Sequence, residues 1–356
     1  NGVVDVFLRD TVRGETVRLS VATAQGWADG ASFDPAISGD GQWVAFASDA
    51  SNLVMADTNG MTDVFMVAAT GLGGVTRLQG VAAPDGPSGH PDISADGSRV
   101  VFASYAENLA ASDGNGVSDI VLVATGQDVT ILSRDADGGA ANGGSIRPAL
   151  SSDGRFVTFI SQATNINNPG ISAPGISAID TNGMADLFLH AIDTGQTVRV
   201  SQHDSGIESN GPVVSTPAIN GDGHRVSYVS PAGNLVDGTS AMTTVQQVFL
   251  AEINGAPVLD KNHIDLKRAI AEPDVKKGVT IAELLGSGYR DVNADDLQGV
   301  AVTGLSGKGA WQFSTNNGSN WSDLTGSSES AATLLAEDGQ TRIRFIPEKV
   351  PYDDGA

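Results

Sequence analysis

PAISGDGQWVAFAS (35–48) decides the fold, because it returns three more times as PDISADGSRVVFAS (91–104), PALSSDGRFVTFIS (148–161) and PAINGDGHRVSYVS (217–230). In each copy an Asp-Gly pair, at 40–41, 96–97, 153–154 and 222–223, separates two runs rich in apolar residues. Alternating side chains point to opposite faces of a strand, and Asp-Gly between two such runs predicts a two-residue β-hairpin. Pro35, Pro91 and Pro148 are spaced by 56 and 57 residues, and Pro217 follows after 69 because NNPGISAPGISA (167–178) is inserted.

Outward from this core each unit carries a second recurrent stretch: NLVMADTNGMTDVFMV (52–67), NLAASDGNGVSDIVLV (108–123) and AIDTNGMADLFLH (178–190). A closing strand follows each, in GVTRLQ (74–79), DVTILS (128–133) and QTVRVS (196–201). One unit therefore reads as four short antiparallel strands. Such units stacked side by side predict an all-β fold, a β-propeller of about four blades in which no blade is stable alone. Phe46, Phe102, Phe159 and Tyr228 are expected to share one core position. NGVVDVFLRD (1–10) matches the middle of the unit, so only its last two strands are expected there. The final unit ends at VQQVFLAEI (245–253) without a clear closing strand, and an open, N-terminally truncated array is expected.

The S-x-D-G-x-x-V-x-F-x-S core followed by D-T-N-G-x-x-D-x-F resembles the TolB-like, WD-related propeller repeats of bacterial envelope and secreted proteins, over residues 1–253. From NGAPVLD (254–260) the register changes, with a short basic stretch that predicts an irregular or helical segment around 263–285. In 297–349 the pattern G-x-W-x-x-S-x-x-x-G-x-x-W, then R-F-x-P, resembles the cadherin-like, immunoglobulin-like repeats of large bacterial RTX-type adhesins. A partial β-sandwich over 254–356, cut short at its C-terminus, is what that resemblance implies. Trp311 and Trp321 would flank a hairpin turning at Asn316–Asn317–Gly318.

Composition narrows the functions. Forty-two acidic against 20 basic residues give a formal charge of −22, which repels phosphate backbones and anionic membranes and makes nucleic acid an improbable partner. The 356 residues include no cysteine, so disulfides, thiolate zinc sites and thiol nucleophiles are excluded. No apolar run approaches the ~20 residues of a membrane span.

The recurrence D-x-N-G-x-x-D carries the strongest chemical signal. Its members are Asp57, Asn59 and Asp63; Asp113, Asn115 and Asp119; and Asp180, Asn182 and Asp186, with Asn1 and Asp5 as the end of an earlier copy. Oxygen side chains spaced around a glycine that lets the loop curl suit a hard cation such as Ca²⁺, with backbone carbonyls and water completing roughly 6–8 ligands at weak affinity. The same residues form Asx-turns that cap the next strand through backbone N–H groups. Both readings stay open. In the fourth unit Gln247 takes the second Asp position and the Asn-Gly is absent, so no ion is expected there. Resemblance to cadherin-like repeats adds Glu272, Asp274, Asp291, Asn293, Asp295 and Asp338 as further calcium candidates.

Asp40, Asp96, Asp153 and Asp222 are explained by their turns. The histidines at 90, 190, 203, 224 and 263 lack paired ligand spacing, and no G-x-S-x-G elbow, P-loop or dinucleotide-binding glycine pattern occurs. The expected function is non-enzymatic: a calcium-stabilised binding or spacer segment of a large secreted bacterial surface protein, facing a protein or glycan at the cell surface or in the periplasm. One alternative is an accessory propeller of a secreted hydrolase whose catalytic domain lies elsewhere. Another is a glycosidase with carboxylates at the propeller mouth, for which Asp49 and Glu107 are the best candidates.

Overall fold

A computed structural model describes residues 1–23, 26–55, 57–71, 74–80, 82–110, 114–124, 129–135, 137–166, 180–203, 205–236, 245–253, 258–259, 277–281, 283, 289–290, 299–302, 309–325, 333–336 and 338–347. The chain divides into two compact units, Asn1–Ile253 and Asn254–Ala356.

The first unit is a series of antiparallel sheets in chain order. Among the described residues β1 (Phe7–Asp10) pairs with β2 (Glu15–Arg18) alone. Three four-stranded sheets follow: β3 (Ser32–Ile37), β4 (Trp43–Ser48), β5 (Asp63–Ala68) and β6 (Val75–Arg77); β7 (Ser88–Ile93), β8 (Arg99–Ser104), β9 (Asp119–Ala124) and β10 (Val129–Ile131); β11 (Ser145–Leu150), β12 (Phe156–Ser161), β13 (Asp186–Ala191) and β14 (Gln196–Arg199). A three-stranded sheet of β15 (Ala218–Ile219), β16 (Arg225–Ser230) and β17 (Gln247–Glu252) closes the unit. This is the strand order of successive propeller blades.

Second strands such as WVAFAS and RVVFAS are buried on both faces because each sheet lies between two others. Phe46, Phe102, Phe159 and Tyr228 all lie in the core, at matching positions of the four sheets. Phe46 faces Phe65 across the strand pair, Phe159 faces Phe188 and Tyr228 faces Phe249, with ring centroids 5.6–5.9 Å apart. Small residues on the opposite face receive the next sheet's ring: Ala45 clusters with Phe102, and Val101 with Phe159.

The Asp-Gly turns differ from the two-residue hairpins that the sequence suggests. Ser38 N–H reaches Trp43 O across a longer loop, Gly41 N–H closes a turn on Ser38 O, and the same bonds recur at Ser94–Arg99 and Ser151–Phe156. Only the glycine takes positive φ (68°, 71°, 74° and 80°), whereas a type I′ turn needs it at both central residues. The Asp carboxylate instead accepts the Ser hydroxyl and a backbone N–H two residues on, as Asp40 does from Ser38 and Gln42. At two of these glycines a side chain would also strike the preceding repeat: a Cβ on Gly97 meets the Trp43 ring and one on Gly223 the Phe156 ring.

A second irregularity recurs in the first strands. Phe33 and Ala36 pair with Ala47 and Ala45, so Asp34-Pro35 opposes Phe46 alone; His90-Pro91 and Arg147-Pro148 oppose Phe102 and Phe159 in the same way. These are β-bulges, where a proline's missing N–H breaks no ladder bond.

In the second unit, β19 (Val279–Thr280), β25 (Arg342–Pro347), β22 (Gly309–Ser314) and β23 (Ser322–Asp323) form one sheet. β18 (Val258–Leu259) pairs with β20 (Tyr289–Arg290), and β21 (Gly299–Val302) with β24 (Thr333–Ala336). The predicted hairpin is present, turning through Asn317 (φ 57°) and Gly318 (φ 84°), with Trp311 against Phe345 and Arg344 over Trp321. Most of 263–285 lies outside the described residues; of the remainder, Val279–Thr280 is strand.

Phe7 and Phe65 follow the same Asp-Val pair, yet Phe7 is 60% exposed and Phe65 is 0% exposed, since no inner strands back β1 among the described residues. Phe65→Ala should therefore cost about 3–5 kcal/mol of stability. Phe7→Ala should cost under about 0.5 kcal/mol by the same calorimetric measurement. Equal losses would show that the two sheets are equally enclosed.

Candidate functional site

The N-G-x-x-D loops are occupied by the protein itself. Each Asn makes an Asx-turn, its Oδ1 accepting the N–H two residues on (Val3, Met61, Val117 and Met184). Its Nδ2 crosses to the segment leading into the next repeat, reaching the carbonyls of Ala28, Pro84, Ala141 and Ser209 at 3.0–3.1 Å from Asn1, Asn59, Asn115 and Asn182. In the first three loops Nδ2 also donates to the motif's own aspartate: Asp5, Asp63 and Asp119. A second asparagine holds the same segment from the following repeat. Asn52, Asn108, Asn165 and Asn234 donate to Trp27, Ala83, Ala140 and Glu208 carbonyls and accept N–H from Asp29, Asp85, Asn142 and Asn210. Every connector is thus gripped by two amides.

Asp63, Asp119 and Asp186 are buried, Asp5 is half-buried, and each is partnered. Asp5, Asp119 and Asp186 accept the hydroxyls of Ser20, Ser133 and Ser201 at 2.6–2.7 Å. In the first complete repeat the Arg77 guanidinium bridges Asp57 at 3.0 Å and Asp63 at 3.1 Å. In the third, Arg199 lies 3.9 Å from Asp180, 3.5 Å from Asp186 and 2.8 Å from Glu208. The positive charge that calcium would bring comes here from the fourth strand. Among the described residues no three His, Asp or Glu side chains are gathered as a metal would need. In the first and third complete repeats the motif's carboxylates are therefore already faced by a guanidinium. Asp113 lies outside the described residues, as do Glu272, Asp274, Asp291, Asn293 and Asp295. Asp338 caps a turn through Gln340 and Thr341 N–H groups, and Gln247 takes the second Asp's register opposite Ser230.

A different constellation lies where the first strands converge. A cavity of about 440 Å³ is walled by the residue before the repeat proline of all four repeats, Asp34, His90, Arg147 and Thr216, the first three of them at bulges. Asp34, His90 and Arg147 hold φ of 49°, 54° and 54°, a left-handed conformation that side chains other than Asn, Asp and His seldom adopt. His90 Nδ1 meets Asp34 Oδ2 at 2.9 Å. Asp92 joins the wall, its carboxyl raised by burial while Leu150 and Ile93 N–H groups oppose the shift. Asp49 and Glu107 do not line this cavity; Asp49 accepts the Thr62 hydroxyl. The available signal was the residue before each repeat proline, which changes while its surroundings repeat.

No protein-family model matches the chain, and no curated protein matches it in sequence. Solved structures similar to it include TolB from Acinetobacter baumannii, at 18% identity over 69% of this chain and 51% of that one, with a TM-score of 0.36. Oligogalacturonate lyase from Vibrio parahaemolyticus is similar at 13% identity over 70% and 72% of the chains, TM-score 0.32. Dipeptidyl peptidase 4 from Porphyromonas gingivalis matches 98% of this chain and 43% of its own at 10% identity, TM-score 0.41. The chain spans about half the length of that TolB. With superpositions this loose, the architecture rests on strand order and register. Among the described residues no helix is long and apolar enough to cross a membrane.

Along β13, Asp186 and His190 pull stability in opposite directions with pH. Burial raises Asp186 to about 6 and lowers His190 to about 4. Folded Asp186 keeps a proton that the unfolded carboxyl has already lost, so its contribution falls as pH rises from about 4 to 6. Folded His190 is neutral where the unfolded imidazole is charged, so its contribution rises over about the same range. Relative to wild type, Asp186→Asn should gain stability as pH rises through this window and His190→Gln should lose it, each by roughly 1–3 kcal/mol. Difference profiles that run flat in denaturant titrations at pH 4 to 6 would contradict the burial of these groups.

Proposed function

We propose that this chain is a non-enzymatic binding segment of a large secreted bacterial surface protein. It comprises a propeller of about four blades and a partial cadherin-like sandwich, and the cavity at the converging first strands receives the ligand. One observation carries the reading. The repeats keep the same proline, serine and aromatic at each equivalent scaffold position, yet turn four different side chains, Asp34, His90, Arg147 and Thr216, into one space. A purely structural bulge gives no reason for that divergence, and Arg147 sits in a left-handed conformation that arginine seldom adopts. Strain held at one place points to a role for that place.

The N-G-x-x-D loops enter this reading as clips between repeats, and calcium is not required by it. The exposed surface position is proposed from the resemblance to adhesin repeats, and the acidic charge of −22 suits a soluble exported segment. The partner is a protein or glycan at the cell surface.

The 356-residue chain applied to immobilised peptide and glycan arrays should capture a ligand and release it chemically unchanged. Ala218→Trp, at an exposed alanine of the cavity wall, should abolish capture at an unaltered thermal midpoint. Capture indifferent to that substitution, or release of a cleaved ligand, would overturn the proposal.

A further inference from the structure

Resting on the reading of this cavity as the ligand site, the hydrogen bonds around it indicate what it recognises. Its carboxylates each have a partner within the protein: Asp34 meets His90 Nδ1, and Asp92 accepts Leu150 N–H at 2.8 Å and Ile93 N–H at 2.9 Å. Its main donor has bonds to spare. Arg147 makes one hydrogen bond, from Nη1 to the Val214 carbonyl at 3.0 Å, and a guanidinium has five N–H groups. Thr216 adds an exposed hydroxyl to the same wall.

Arg147 also lines a second cavity of about 260 Å³, together with Tyr105, Ser118, Gln162, Ile160 and Val213. There the buried Ser118 Oγ has no hydrogen-bond partner, although a buried polar atom normally finds one. The matching residue is Thr62 in the first complete repeat, whose hydroxyl bonds Asp49, and Ala185 in the third. A single guanidinium therefore stands between a polar cup and a deeper, more apolar recess with one unsatisfied hydroxyl. Its backbone is held at φ 54° before a proline, a placement that arginine does not adopt for its own sake.

We propose that Arg147 anchors the carboxylate of a ligand in the axial cavity, with Thr216 and Ser118 as accessory donors on either side. A planar guanidinium presents paired N–H groups that match a carboxylate's two oxygens. A dianion such as phosphate fits less well, because Asp34 and Asp92 share the wall and the chain is strongly acidic. The ligand is a monoanion drawn by short-range bonding against the field of the whole protein. Moderate salt, which screens that field, should speed its association rather than slow it.

The test is saturation-transfer NMR on the full 356-residue chain with two matched pairs, each a monoanion against its neutral counterpart: N-acetylglutamate α-N-methylamide against N-acetylglutamine α-N-methylamide, and glucuronate against glucose. In at least one pair the acid should bind about tenfold more tightly than its neutral partner. The pair that shows this identifies the source as an acidic peptide or an acidic sugar. Arg147→Asn removes the guanidinium and keeps a residue that tolerates positive φ. It should erase the preference while leaving the thermal midpoint unchanged or higher. Arg147→Lys should retain only part of the preference. Equal binding of acid and neutral partner, a preference that survives Arg147→Asn, or silence from all four probes would overturn the carboxylate inference. Equal binding that Ala218→Trp abolishes would overturn it alone and leave the cavity as a ligand site, whereas binding that persists in Ala218→Trp would overturn both.

Discussion

Each connector between repeats is pinned by two primary amides, one from the repeat before it and one from the repeat after it, and the order of the first unit depends on that constraint. Asn115 holds the Ala141 carbonyl from one side while Asn165 holds Ala140 O and Asn142 N–H from the other. An amide suits this task because it offers two donors and an acceptor without a charge to bury. Its Oδ1 makes the local Asx-turn, and one N–H remains for the neighbouring segment. Sheet-to-sheet packing of rings on small residues is non-directional; the amide pairs fix the register in which the rings meet.

From those fixed connectors the geometry of the axis follows. The Ser32–Ser48, Ser88–Ser104 and Ser145–Ser161 hydroxyl pairs tie the start of each first strand to its neighbour. The strand must then absorb an extra residue to stay in register with the buried aromatic opposite. That residue is the one before proline, and the bulge turns it toward the space that the first strands share. A scaffold built from similar parts thereby offers three chemically independent positions, and Thr216 adds a fourth to the same wall.

The repeat, the four-stranded unit, the shared aromatic position and the anomalous Gln247 were all legible in the sequence, because each is a local pattern that recurs. The Asp-Gly turns were placed correctly but assigned the wrong loop length. The Ser two residues before the Asp captures its carboxylate, and that bond is not visible in a dipeptide signal. The D-x-N-G-x-x-D loops read equally as cation ligands or as Asx-turns, because a spaced set of oxygens is all that sequence shows. What balances their charge, Arg77 or Arg199, comes from a strand 13 or 14 residues further on and meets them only in the folded sheet. The asparagine grip was hidden for the same reason, since its acceptors lie about 26 residues away. Asp34, His90, Arg147 and Thr216 carry no recurrent signal in the sequence, because they differ from repeat to repeat.

Asn115→Asp tests the clip most directly, in the repeat where Ile131 takes the place of the arginine. The variant keeps an oxygen for the Val117 N–H, so the Asx-turn survives. It loses both donors and sets a second carboxylate against Asp119. Chemical denaturation at pH 7 should show a loss of more than about 2 kcal/mol, and millimolar calcium should not restore it. Unchanged stability would mean that the residue only forms a turn, and a calcium-dependent gain would mean that the loop is a cation site after all.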